Sequence, residues 1–230
     1  MPLIEVIGVS HSYPHGTGRR QVLRDVSVAM PESRVGVIGA NGSGKSTFAR
    51  LLNGLVVPEV GRVLVDGHDT RREGRTVRRL VGFCFTDPDA QIVMPTVRED
   101  VGFGLRRRGA GADQTTERID RTLAEFGLAD HADHAAHLLS GGQKQLLALA
   151  SVLVTEPAVL IMDEPTTLLD LRNAEAVGRI VASLPQQVIL LTHHLDLLKG
   201  FDRVLVFDGG RIVADEAPAA AIAAYRERMR

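Results

Sequence analysis

The sequence predicts an α/β fold in which a helical insert interrupts a discontinuous core. Two apolar runs, 159–162 and 188–191, each end in polar residues, a pattern typical of central parallel strands covered on both faces. An earlier apolar run leads through a glycine-rich turn into a helical pattern. We therefore predict an α/β core at 1–85 and 157–230, with a helical subdomain at 86–156.

Composition excludes several classes of protein. The 230-residue chain has 27 Lys and Arg against 28 Asp and Glu, a net charge of −1, so no overall charge attracts a polyanion. Its single cysteine, Cys84, excludes an intrachain disulfide framework and suits a reducing compartment. No apolar run approaches the ~18–20 residues that cross a bilayer, and the first residues lack a signal-peptide pattern. These features predict a cytosolic globular domain.

The first part of the chain is predicted to form short strands and one helix. Apolar and β-branched segments bounded by Gly, Pro or charged residues predict strands at 3–9, 26–30, 34–38, 62–66 and 81–85. After the glycine-rich turn, apolar residues recur at helical spacing, which predicts a helix over 45–53. Gly54 is positioned to end that helix.

Helical patterns dominate the middle of the chain. Ile119, Leu123 and Phe126 recur at helical spacing before Gly127, and the run 143–154 is apolar nearly all round, which predicts a buried helix. The other predicted elements are strands at 159–162 and 188–191, a hairpin of 203–207 and 211–214, and a helical tail from 217.

A glycine-rich motif follows the strand at 34–38. Residues 39–46 read GANGSGKS and match G-x-x-x-x-G-K-S/T in full. Glycines let backbone N–H groups turn toward a polyphosphate, and the helix that begins near Lys45 directs its positive end to the same anion. Lys45 would add a full charge at the β- and γ-phosphates, and Ser46 a hydroxyl for Mg²⁺. The predicted phosphate-binding residues are Gly39, Asn41, Gly42, Ser43, Gly44, Lys45, Ser46 and Thr47.

The strand at 159–162 is followed by two carboxylates, Asp163 and Glu164. The C-terminal ends of strands in a parallel sheet face the ligand crevice. We predict that Asp163 holds Mg²⁺, directly or through water, and that Glu164, on the opposite side of the strand, meets a water molecule as general base. A solvated strand end is the alternative, and the preceding phosphate loop favours the metal and base pair.

Residues 139–143 read LSGGQ and stand directly before the predicted buried helix. Small residues, N–H groups and a serine hydroxyl make this a second helix N-terminus suited to an anion. An ordinary serine cap on a flexible loop is the alternative.

The motifs ANGSGKST, LSGGQ, LIMDEP, TTLLD and LTHH resemble those of the ATP-binding cassette ATPases in order and approximate spacing, over almost the whole chain. The resemblance implies a P-loop NTPase (RecA-like) core, an antiparallel β subdomain and an inserted α-helical subdomain. It also implies hydrolysis of ATP to ADP and phosphate with Mg²⁺ as cofactor. Members of the family pair head to tail, so we expect a second copy of this chain, or a paralogous ATPase, as partner.

The resemblance assigns further residues by position. Tyr13 resembles the aromatic residue that stacks on adenine, with a half-buried strand aromatic as the alternative. His193 resembles the switch histidine at the γ-phosphate and joins Glu164 and Lys45 as an expected catalytic residue. Asp170 resembles the aspartate that communicates across the dimer. The segment expected to meet the partner's nucleotide comprises Ser140, Gly141, Gly142 and Gln143.

One position departs from the family's pattern. The family usually has glutamine after the strand at 81–85, where it touches Mg²⁺ and the attacking water, whereas this chain has Thr86. Threonine keeps an oxygen but is shorter, so it would reach the metal through an intervening water. We expect Thr86 to substitute in part, with slower or differently coupled turnover. Compensation by Gln91 is the alternative.

Residues 87–104 resemble the energy-coupling-factor ATPases of vitamin and metal-ion importers, in which DPD-x-Q-I and P-T-V-x-x-D-V-x-F-G are typical. In that group this region joins a groove that receives helices of a transmembrane coupling subunit. The resemblance implies a peripheral protein on the cytoplasmic side of the cell membrane, with that coupling subunit and a substrate-binding membrane subunit as partners. The chain is most similar to the ATPase of biotin importers, and cobalt, nickel or another vitamin are the alternatives.

Other signals lead to weaker hypotheses. His131, His134 and His137 are spaced by three, but polar residues are common before LSGGQ in relatives, so a metal site is not expected there. Arginine clusters at 71–79 and 106–108 lack interleaved aromatics, so nucleic acid is not expected as a partner. A DNA clamp of this family would need a coiled-coil insertion, and a soluble translation factor would need a second phosphate loop.

Overall fold

The computed structural model describes residues 3–106 and 112–229, and Arg107 and Arg108 of the second arginine cluster lie outside these ranges. Its strands are β1 (Ile4–His15), β2 (Gly18–Met30), β3 (Arg34–Gly39), β4 (Val60–Val65), β5 (His68–Asp69), β6 (Val81–Cys84), β7 (Val159–Asp163), β8 (Gln187–Leu191), β9 (Arg203–Asp208) and β10 (Arg211–Glu216). Its α-helices are α1 (Lys45–Leu52), α2 (Gly74–Leu80), α3 (Val97–Arg106), α4 (Ala112–Glu125), α5 (Gly141–Leu153), α6 (Leu171–Ser183) and α7 (Pro218–Arg228).

The strands form two sheets. The smaller has the order β2-β1-β4-β5, and its neighbouring strands are antiparallel. The larger has the order β10-β9-β3-β8-β7-β6. In it β3 lies parallel to both β8 and β9, β7 lies parallel to β8, and β10 returns antiparallel along β9. These sheets confirm the predicted α/β fold and its antiparallel β subdomain.

Burial explains the central strands of the larger sheet. Every residue of β7 and β8 is buried, because both are apolar runs that lie between other strands of the sheet. Helix α1 adds an apolar face to this core, and the ring of Phe48 lies 4.9 Å from that of Phe207. The loops that follow the carboxyl ends of β3, β7 and β8 therefore begin at strands that are packed in the core.

The chain folds into two compact units. The first comprises the described residues up to Gly82, then Ala158–Glu164 and the described residues from Ala182 onward. The second comprises the described residues of Phe83–Pro157, and Pro165–Val181. The division at 86 and 156 stays a prediction.

Most predicted elements are present, with some differences in extent. Strands β1 and β2 are longer than the predicted 3–9 and 26–30, since they continue as a bulged hairpin to His15 and Gly18. Helices α2 and α6 were not predicted. Within residues 3–106 and 112–229, no helix is long and apolar enough to cross a bilayer.

Candidate functional site

The phosphate loop connects β3 to α1 through backbone conformations that require glycine. Gly39 has φ 151°, and a Cβ on it would lie 2.2 Å from the carbonyl oxygen of Phe207. Gly44 precedes the first turn of α1 with φ 105°. The loop is held by two hydrogen bonds, in which the N–H of Ser43 donates to Ala40 and the N–H of Gly210 donates to the carbonyl of Ser43. A side chain at Gly39 has no room without movement of β9.

Lys45 lies inside this loop. Its ammonium donates to the carbonyls of Gly39 at 2.6 Å and Ala40 at 3.0 Å, and the residue is 6% exposed. Burial lowers the pKa of Lys45, and the nearby carboxylates of Glu164 and Asp163 oppose that shift. The charge therefore stands at the loop's inner surface, close to both acids.

Ser46 and Asp163 bring together two oxygen ligands from distant parts of the chain. The hydroxyl of Ser46 donates to Oδ1 of Asp163 at 3.0 Å, and Asp163 is 3% exposed. Burial raises the pKa of Asp163, while the hydrogen bond from Ser46 acts in the opposite direction. A hydroxyl and a carboxylate beside a phosphate loop are the donors that Mg²⁺ prefers, so the residues present fit that ion.

Glu164 follows β7 in a strained conformation. Its φ is 54°, in the left-handed region that non-glycine residues seldom adopt, and its N–H donates to the carbonyl of Leu191. Oε2 accepts from the N–H of His193 at 3.1 Å, and Oε1 lies 3.0 Å from His193 Nε2. Because β7 ends at Asp163, this turn rather than strand alternation sets the direction of the Glu164 side chain.

A cleft of about 420 Å³ in the first unit is lined by most of these residues, but not by Gly39 or Asp163. Its lining includes the predicted Tyr13, Glu164 and His193. From the phosphate loop it includes Asn41, Gly42, Ser43, Gly44, Lys45, Ser46 and Thr47. Tyr13 is half-buried, with its ring edge-on to His11 at 4.8 Å. A single cleft therefore holds the candidate aromatic, phosphate and catalytic groups.

Four further lining residues were missed by the sequence analysis: Pro14, His15, Arg20 and Val22. They come from the hairpin of β1 and β2. The guanidinium of Arg20 lies 3.7 Å from the position that a Cβ on Gly42 would take, so a cation overlies the phosphate loop. The only signal in the sequence was the basic pair after the hairpin turn, and its position depends on the hairpin's register.

The LSGGQ segment belongs to the second unit and forms a complete helix cap. Ser140 Oγ accepts from the N–H of Gln143 at 3.3 Å, and Gln143 Oε1 accepts from the N–H of Ser140 at 2.9 Å. This capping box begins α5. A Cβ on Gly142 would lie 2.5 Å from the side chain of Asn173, while Asp170 caps α6 by accepting from the N–H of Asn173.

Thr86 also belongs to the second unit, half-buried in the bend after β6. The proposed compensating residue, Gln91, already uses both of its amide atoms. Its Oε1 accepts from the N–H of Phe85 at 3.0 Å, and its Nε2 donates to the carbonyl of Ala148 at 2.8 Å. Nearby, burial raises the pKa of Cys84 to about 12, in agreement with a core role for this thiol.

A groove of about 280 Å³ lies elsewhere in the second unit. We name it the loop groove, and it is lined by Asp89, Ile92, Val93, Met94, Pro95, Ala136 and His137. Asp100 holds its loop, because Oδ1 of this buried carboxylate accepts from the N–H groups of Val93 and Met94.

Comparison with known proteins identifies the family. The model of the ABC transporter family matches residues 23–167. The chain belongs to the ABC transporter family, as an ATPase of its transport systems, which confirms the resemblance and the predicted P-loop NTPase fold.

Two relatives and one solved structure show which members of the family this chain is similar to. The biotin transport ATP-binding protein BioM of Rhizobium etli is 52% identical over 210 residues, 91% of this chain and 93% of its own length. The energy-coupling factor transporter ATP-binding protein EcfA of Methanothermobacter thermautotrophicus is 37% identical over 224 residues, 94% of this chain and 71% of its own length. The ATP-binding cassette MJ0796, a dimer in a post-hydrolysis state bound to ADP and Pi, superposes with a TM-score of 0.85 and 26% identity, over 94% of this chain and 98% of that chain.

Proposed function

We propose that this chain is the ATP-binding and hydrolysing subunit of an energy-coupling-factor importer that takes up a vitamin, with biotin as the first candidate. The observation on which the proposal depends is the contact of Glu164 with His193 at the edge of a cleft that contains the phosphate loop. The names of the two relatives support the importer type and the solute. Cobalt, nickel or another vitamin would use the same subunit chemistry, because another subunit recognises the solute.

Each part of the cleft has a role in hydrolysis. The loop N–H groups, Lys45 and Arg20 bind the phosphates, and Tyr13 stacks on the adenine. Ser46 and Asp163 are the residues that would hold Mg²⁺. The expected contribution of Thr86, in the second unit, stays a prediction. When bound, Mg²⁺ supplies positive charge at the β- and γ-phosphates.

Glu164 acts as the general base on the attacking water. Its carboxylate accepts the proton of that water. The backbone N–H of His193 donates to Oε2 of the carboxylate, and the ring Nε2 of His193 lies 3.0 Å from Oε1, so His193 helps to position the base. The N–H of Glu164 donates to the carbonyl of Leu191, and its Oε2 accepts from the N–H of His193. These two hydrogen bonds help to hold the strained residue with its carboxylate in the cleft.

The partners follow from the same proposal. A second copy of this chain would present Ser140 and Gly142 to the γ-phosphate of the first, and the dimer of MJ0796 supports such a pair. The loop groove would receive helices of the membrane coupling subunit. We therefore place the chain on the cytoplasmic side of the cell membrane, beside a coupling subunit and a substrate-binding subunit.

Substitution of Glu164 tests the proposal. E164Q keeps the side chain's shape but not its basicity, so it should bind ATP, lose roughly 100-fold or more in turnover and accumulate as a closed dimer. E175Q, at an exposed position of α6, is the matched control. Phosphate release and size-exclusion chromatography report both properties. Full turnover by E164Q would reject Glu164 as the base.

The solute is tested separately by co-purification. The chain is purified in detergent together with the membrane proteins that remain bound to it. The small molecules bound to that complex are then identified by mass spectrometry. Retained biotin would support the assignment. Retained cobalt, nickel or a different vitamin would replace biotin as the assigned solute and would leave the assignment of this chain as the hydrolytic subunit unchanged.

A further inference from the structure

A chain of side-chain contacts connects two histidines to the start of α5. His134 Nδ1 lies 3.0 Å from His131 Nδ1, and His131 Nε2 lies 2.8 Å from Nε2 of Gln143. Gln143 in turn forms the capping box with Ser140. The two imidazole rings meet edge to face with centroids 5.1 Å apart. The mechanism described above assigns nothing to either histidine.

The backbone N–H of Ser140 determines which atoms donate and which accept in this series of contacts. The N–H of Ser140 can only donate, so the Gln143 atom that faces it is the oxygen, and the amide NH₂ faces His131. His131 Nε2 must then accept, which places the proton of the neutral ring on Nδ1. That proton is donated to Nδ1 of His134, whose own proton lies on Nε2. Only neutral rings satisfy all of these contacts.

We propose that His131 is a positioning residue for the LSGGQ segment, and that its neutral form holds Gln143 and Ser140 in the capping box. Protonation at Nε2 would put an N–H against the amide NH₂ of Gln143. If the amide turned over to offer its oxygen to His131, it would present NH₂ to the N–H of Ser140. In either case one contact that fixes the Gln143 side chain is lost, which weakens the reciprocal half of the capping box, while Ser140 Oγ still accepts from the N–H of Gln143.

Charged groups surround the pair without occupying these contacts. On the same loop, Asp133 pairs with Arg98 of α3 at 3.6 Å, and Asp130 is exposed. On α5, Lys144 pairs with Asp89 at 2.7 Å. The third histidine of the loop, His137, lies in the loop groove. Asp133 and Asp89 each face a cation. The group that faces His131 Nε2 is therefore the Gln143 amide.

The test measures the contact between His131 and Gln143 separately from ATP hydrolysis. Amide protection factors of Ser140 and Gln143 are measured by hydrogen exchange on the nucleotide-free full chain at pH 8. H131F removes the acceptor and should lower protection at Ser140 by roughly tenfold at pH 8, the effect of losing a helix cap. H131Q supplies an amide oxygen as the acceptor, so protection should return to the wild-type value.

ATP hydrolysis should fall in H131F and return toward the wild-type rate in H131Q. H137Q removes a neighbouring histidine and should leave Ser140 protection at the wild-type value. H134F, which leaves the Gln143 contact in place, provides a second folded probe and should cost less protection than H131F.

Unchanged Ser140 protection in H131F, or a loss in H131Q as large as that in H131F, overturns the proposal. The effect on hydrolysis rests on the proposed function, because it requires LSGGQ to meet nucleotide. Absence of ATP hydrolysis in every variant, with the protection factors as expected, would reject the proposed function and leave the positioning role intact.

Discussion

Replacement of Asp100 should loosen the loop groove by an amount that the structure makes calculable. The residue is 4% exposed; Oδ1 accepts from the N–H groups of Val93 at 2.9 Å and Met94 at 3.1 Å, and Oδ2 accepts from the Ser151 hydroxyl at 2.7 Å. Hydrogen bonds to a charged group contribute about 1.5 kcal/mol or more each, and partial rehydration offsets some of their loss, so D100A should cost about 3 kcal/mol.

D100N should cost much less than D100A. Asparagine keeps an oxygen for the two backbone donors and turns its NH₂ toward Ser151, whose hydroxyl can accept instead. Only the charge is lost, so the expected cost is about 1 kcal/mol. In a chain of this size, ~1 kcal/mol lowers Tm by ~2–4 °C, which predicts a fall of ~2–4 °C for D100N and ~6–12 °C for D100A.

Thermal and urea unfolding of the nucleotide-free chain measure both variants, with the exposed D130N as control. ATP binding in the first unit should be retained by each folded variant, because the cleft contains no residue of this network. Equal losses for D100A and D100N, or losses no larger than that of D130N, would refute the hydrogen-bond reasoning.

Three further changes test the cleft. G39A should fold less stably and bind ATP at least ~10-fold more weakly by calorimetry, because its methyl meets the Phe207 carbonyl; wild-type affinity would contradict the stated geometry. D163N should abolish hydrolysis yet leave the nucleotide-free chain as stable or more stable at pH 7. Burial raises the pKa of Asp163 in the folded chain, so its ionised form destabilises the fold above that pKa. A marked fall in Tm would contradict this direction of the stability change. R20Q should weaken ATP binding by ~3–10-fold while R24Q does not, and equal affinities would remove Arg20 from the phosphate site.

The sequence predicted the parts of the site that depend on local pattern. The glycine loop, the apolar strand before Asp163 and the helix after LSGGQ are each defined by consecutive residues. Contacts between distant segments followed only indirectly. Ser46 and Asp163 are separated by 117 positions, and the sequence predicted each as a Mg²⁺ ligand without giving the contact between them.

Elements with few buried residues were missed. Helix α2 buries only Val77 among its side chains, so it has no apolar periodicity to detect. Helix α6 buries Ala174, Val177 and Val181 at helical spacing, a pattern that the sequence analysis overlooked. Arg20 escaped notice for a different reason. Its place in the cleft depends on a hairpin whose register shifts three times between Val6 and Ser12, which no alternation of side chains reveals.

The most direct test of hydrolysis by paired chains is the initial rate of phosphate release from ATP, measured over a dilution series of the purified wild-type chain with Mg²⁺ and with chelator. The account predicts release that requires Mg²⁺ and rises with the square of chain concentration in dilute solution. Release that is strictly proportional to concentration, or that persists in chelator, would contradict it.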